Sequence, residues 1–147
     1  MRKLKNAAHV YMVLGLVSGI FYREFTRFNH FTGKTQMSLV HTHLLALGML
    51  AFLVVLALEK QFQLSKAKQF RYFFWLYNAG LVITVATMVV RGIAAVLGRD
   101  VPVPPYVPGC GHFLLMLGLI MLFVALGKRL DEEEKAASEP AKKPSSS

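Results

Sequence analysis

Four long apolar stretches, joined by short polar connections, leave this chain few folds to choose from. They run from about Ala7 to Tyr22, from Leu39 to Leu58, from Phe73 to Val90 or on to Val96, and from about Gly109 to Leu126. Crossing a bilayer core takes roughly 17 to 25 helical residues. The second and third stretches meet that length, and the first and fourth lie near its short limit. A single soluble core in a 147-residue chain has little use for four such segments. The mean hydropathy of +0.45 and a hydrophobic share of 54% point the same way. The expected fold is an all-α, integral membrane four-helix bundle formed by residues 1–130. A charged, disordered tail, residues 131–147, should follow it.

The net charge of +9 would suit a nucleic-acid binder, but the cations are in the wrong places for one. They flank the apolar stretches, as in membrane proteins. Twelve gather on one side: Arg2, Lys3 and Lys5; Lys60, Lys66, Lys68 and Arg71; Lys128, Arg129, Lys135, Lys142 and Lys143. Five fall on the other: Arg23, Arg27, Lys34, Arg91 and Arg99. By the positive-inside rule both termini should be cytoplasmic. The first stretch reads as a retained helix and not a signal peptide, because "SGIFYREF" offers no small-x-small cleavage site. The loop "VPVPPYVPG" is stiffened by prolines and reads as a connector at the far side. Aromatic residues near the span ends, among them Phe21, Tyr22, Phe25, Tyr72, Phe73, Phe74, Trp75 and Tyr106, suggest interfacial belts. The lone Cys110 excludes an intramolecular disulfide.

Ionisable groups are costly inside a membrane, so the histidines carry the functional question. His41 and His43 open the second span and His112 opens the fourth, all at the same side. In an α-helix each residue turns ~100°, so His41 and His43 point ~200° apart and cannot both face one ligand. His41 shares a face with Leu45, Gly48 and Phe52 by spacing, and Gly48 leaves room there for a flat group. The expected pair is therefore His41 with His112, with His43 as the substitute for His41. Arg23 and Arg91 end the first and third spans at the same level. Their planar donor forks suit carboxylates, although snorkelling beside Glu24 explains Arg23 equally well.

The spans also hint at duplication. "HLLALGMLAFLVVLALEK" resembles "HFLLMLGLIMLFVALGKR" with one residue of slippage. Tyr11 and Gly15-Leu16-Val17 loosely match Tyr77 and Gly80-Leu81-Val82. The fold would then be two repeated helical hairpins.

Two opposed imidazoles in a four-helix bundle can ligate haem from both faces. Leu44, Leu45, Phe113, Leu115 and Met116 would wall the ring, and Arg23 and Arg91 would receive its propionates. A bare metal ion usually needs more than two protein ligands. Met37, Met88 and Met116 could add soft donors, but at no regular spacing. Two function classes therefore stand. One is a bis-histidine b-type haem protein for electron transfer or for redox or haem sensing, not an enzyme by itself. It would work with a redox partner protein, a quinone or a second copy in a homodimer. The other is a cofactor-free structural or transport accessory protein, whose Gly15-xxx-Gly19 step could mediate helix association or equally pack the first span inside the monomer.

The segments "FYREFTRFNHFTGKTQMSLVHTHLLALGML", "RGI" and "GHFLLMLG" resemble an uncharacterised family of small four-span bacterial membrane proteins. The resemblance covers nearly all of the chain but the tail. It implies the fold and a setting in the bacterial cytoplasmic membrane, and it carries no activity. More remotely, "HTHLLALG" is similar to the histidine segment of haem-copper oxidase and nitric oxide reductase catalytic subunits. That similarity implies a low-spin haem on His41. The chain lacks the further spans and histidines those subunits use to reduce oxygen or nitric oxide.

Overall fold

A computed structural model describes residues 1–104 and 106–138. Four helices account for nearly all of them: α1, Arg2–Phe28; α2, Gln36–Phe62; α3, Lys68–Val96; and α4, Tyr106–Ser138. All four are long and apolar enough to cross a membrane, and no strand occurs among the described residues. Because backbone hydrogen bonding continues into the polar flanks, each helix outruns its apolar stretch at both ends, except that α3 stops at the longer bound, Val96. In α4 it continues through Ser138. The rest of the expected tail lies outside the described residues.

The helix ends are set by local chemistry. Thr35 caps α2, its hydroxyl accepting from the Met37 N–H at 3.3 Å. Its hydroxyl also donates to the Gly92 carbonyl at 3.1 Å, fastening the α1–α2 loop to α3. Gln63 ends α2 in the left-handed region, φ 53°. Gly98, at φ 62°, ends α3 in a Schellman motif. There Arg99 N–H bonds back to Ala94 O at 2.9 Å and Gly98 N–H to Ala95 O at 3.3 Å.

Successive helices run antiparallel. Along α1, Tyr11, Gly15 and Gly19 meet Gly48, Leu45 and His41 of α2 in turn. Along α3, Tyr77, Gly80 and Thr84 meet Gly118, Leu115 and Gly111 of α4. The hairpins α1–α2 and α3–α4 thus share one contact rule: a tyrosine near one end lies on a glycine of the partner, and a glycine follows a turn later. The two-hairpin repeat is present in the packing. The equivalence nonetheless sets His41 against Gly111, so the histidines of spans two and four are not matching positions.

The hairpins join along α2 and α3 through an aromatic knot. Phe52 is fully buried, stacks on Tyr11 at 5.8 Å and meets Tyr77 edge-on at 5.6 Å. Phe73 belongs to this core at 1% exposure, not to an interfacial belt, whereas Trp75 and Tyr106 are exposed. Tyr11 also donates to Asn78 Oδ1 at 2.7 Å, tying α1 to α3.

The end where α1 begins and α4 finishes is the basic end. Buried Glu59 holds the turn there, accepting from Ser65 N–H at 2.7 Å and Ser65 O–H at 2.5 Å. Arg129, also buried, donates from Nε to the Phe62 carbonyl at 2.8 Å and pairs with Glu132.

Candidate functional site

The helix α2 is not uniformly α. Leu44–Leu50 is a π segment, flanked by α turns. Ala51 N–H reaches back to Ala46 O, one residue further than an α-helix allows. Where the bonding returns from π to α, one carbonyl loses its helical donor. Leu47 O stands at that step, and the Tyr77 hydroxyl donates to it at 3.0 Å. Such a replacement donor is what a non-aqueous setting demands of a freed backbone group. π segments of this kind recur at functional sites.

Leu47 and Tyr77 form one wall of an apolar groove along α4, of about 720 Å³. Leu115, Met116 and Leu119 form the other wall, and His112 lies at its proline-loop end. His112 is exposed, and its Nδ1 lies 2.8 Å from the Pro108 carbonyl one turn back. A carbonyl only accepts, so Nδ1 carries the proton. Nε2 has no protein hydrogen bond among the described residues and, in a neutral ring with this tautomer, is the nitrogen that can accept or ligate. His43 is arranged in the same way: its Nδ1 lies 2.9 Å from the Leu39 carbonyl. Fixing one ring nitrogen on a backbone carbonyl is how proteins orient a ligating imidazole. His43 precedes Leu47, a lining residue, by four residues, so it shares that helix face one turn outside the groove without lining it.

His41 is placed differently. Its Cβ lies 3.7 Å from where a Cβ on Gly19 of α1 would stand. The face it shares with Leu45, Gly48 and Phe52 is turned toward α1. The gap at Gly48 is filled by the Tyr11 ring, with Cγ 2.5 Å from an added Cβ, so no flat ligand enters there. Among the described residues His41 Nδ1 is buried without a hydrogen-bond partner, as is the Thr84 hydroxyl at the equivalent level of the second hairpin.

The arginines are employed locally. Arg23 is 80% exposed and lies 3.7 Å from Glu24. Arg91 donates to the Val103 carbonyl at 2.9 Å, anchoring the proline loop that leads into α4 and His112. Among the described residues no three His, Cys, Asp or Glu side chains cluster closely enough to hold a bare metal ion. Inspection of the sequence singled out the histidines and Gly48 but missed Tyr77, Leu47 and Thr84. A Tyr at the level of a His-led span is a faint signal, and a freed backbone carbonyl leaves none.

Residues 1–129 match the model of one family, Protein of unknown function (DUF2871). No curated protein and no solved structure matches the chain.

Proposed function

The chain belongs to the DUF2871 family, and from that premise we propose that it is a membrane-embedded b-type haem protein for electron transfer or for redox or haem sensing. The observation that carries this reading is the twin arrangement of His43 and His112. Each ring has Nδ1 committed to the carbonyl one turn back; His112 lines an apolar groove of about 720 Å³, and His43 lies one turn before Leu47 of its other wall. That donor set fits haem, which needs two neutral imidazoles and apolar walls but no cluster of three ligands. His112 and His43 would hold it, with His43 replacing the expected His41. A bound haem would supply reversible one-electron storage.

The protein's own share is orientation and exclusion. The Pro108 and Leu39 carbonyls fix the tautomers. Leu47, Leu115 and Met116 keep water out. Arg91 steadies the loop before His112 and places positive charge at that end of the bundle. With both imidazoles engaged the site carries electrons and does not turn over a substrate, so a redox partner protein, a quinone or a second copy is implied. The ten cations of the basic end among the described residues support its being cytoplasmic, in a bacterial cytoplasmic membrane.

A second reading, a cofactor-free structural or transport accessory protein, is favoured by the Tyr11 ring filling the Gly48 gap. One absorbance spectrum separates the two. Protein made with haem supplied should show low-spin Soret and α bands, lost in His43→Ala and His112→Ala and kept in His41→Ala. No bands in the unmodified protein would leave the second reading standing. Bands lost in His41→Ala but kept in His43→Ala would return the ligand to the α1-facing side.

A further inference from the structure

Two cavities at the basic end share a wall of Lys3, Phe74 and Trp75, where the start of α1 lies beside the start of α3. The first, of about 360 Å³, is ringed by Arg2, Lys3 and Arg71, with Ser65 beside them. No acidic side chain lines it. Glu59, which also touches Ser65, is buried, and both its carboxylate oxygens are occupied by Ser65. The second cavity, of about 470 Å³, continues along the α1–α3 groove between Val10, Leu14 and Val82. Its polar residues are largely silenced. Tyr11 donates to Asn78 Oδ1 at 2.7 Å and Asn78 Nδ2 to Phe74 O at 2.6 Å.

We infer that the two cavities are one binding site for an anionic glycerophospholipid. Its phosphate lies among Arg2, Lys3 and Arg71, and one acyl chain lies in the α1–α3 groove. Basic pockets between helices at a membrane surface suit anionic head groups. The dimensions agree. Lys3 to Leu14 spans roughly 16 Å of helix, about half of a ~30 Å hydrocarbon core and so the depth of one leaflet. Trp75, 66% exposed, stands at the junction of head and tail, where amphipathic rings gather in membrane proteins. A zwitterionic lipid would fill the groove equally well but would not answer three cations without a counter-charge. The site uses neither His43 nor His112, so it stands apart from the haem reading.

The test is native mass spectrometry of delipidated protein offered equal amounts of phosphatidylglycerol and phosphatidylethanolamine with the same chains. Phosphatidylglycerol should be retained roughly tenfold or more over phosphatidylethanolamine. The exposed-cation variant R2Q/K3Q/R71Q should lose that preference while still binding both lipids weakly. Val82→Trp, which fills the groove and leaves the charges, should reduce retention of both lipids several-fold and keep the preference. Equal retention of the two lipids by the unmodified protein overturns the proposal. So does a preference that survives R2Q/K3Q/R71Q, or retention untouched by Val82→Trp.

Discussion

Tyr77→Phe removes a single oxygen, and its effect can be worked out in advance. The ring stays, with its contacts to Phe52 at 5.6 Å and Phe73 at 5.4 Å, so the buried apolar area hardly changes. What goes is the O–H donated to Leu47 O at 3.0 Å. Tyr77 is 2% exposed, and Leu47 stands 36% exposed on an apolar groove where lipid or detergent offers no donor. A carbonyl left unpaired out of water costs about 1–3 kcal/mol, and the variant should be less stable by that amount. Thermal unfolding in detergent reads it directly, with Tyr72→Phe and Tyr106→Phe as controls. Those two residues are 54% and 69% exposed, and their variants should unfold with the unmodified protein. If Tyr77→Phe is as stable as the controls, the carbonyl is satisfied some other way and the account of the π segment is wrong.

Gly80→Ala should destabilise the α3–α4 hairpin by about 1–3 kcal/mol. Its Cβ would stand 2.6 Å from Leu115 N and 2.7 Å from Gly111 O, backbone atoms that no rotamer change can move. Gly127→Ala meets nothing within 4 Å. By helix propensity it should be neutral or stabilising by up to about 1 kcal/mol, and unfolding midpoints of the pair compared side by side check both. Thr84→Val keeps the shape of a buried side chain and deletes a hydroxyl with no partner. It should raise stability by about 1 kcal/mol, and a clear loss in the same assay would mean that the hydroxyl has a partner after all.

How much of this was legible beforehand differs from feature to feature. The four spans were, because membrane crossing imposes a length and a composition that local sequence must obey. The duplication was legible in its register: the Leu-Leu-x-Leu-Gly shared by spans two and four sets Gly48 on Gly118 and Leu45 on Leu115, as the packing does. The one residue of slippage between histidine and glycine hid that His41 falls level with Gly111. The facing of His41 was half right. Its grouping with Leu45, Gly48 and Phe52 on one face holds. Which neighbour that face would meet depended on tertiary packing, and α1 took it through Gly19 and Tyr11. The site around Tyr77 was not legible, since it rests on a departure from α-helical bonding that apolar periodicity does not record. Phe73 was misplaced for a related reason: an aromatic near a span end suits an interface or a core equally well, and only the pairing with Phe52 decides.

The π segment of α2 also acts as a gear within a single rod. Removing one residue between Leu44 and Leu50 would leave the half toward Phe62 in place. Everything beyond it would turn by one step of the helical screw, so His41 would leave Gly19. The extra residue is thus the tooth that lets one helix keep two different appointments, with α1 through His41 and with α3 through Phe52.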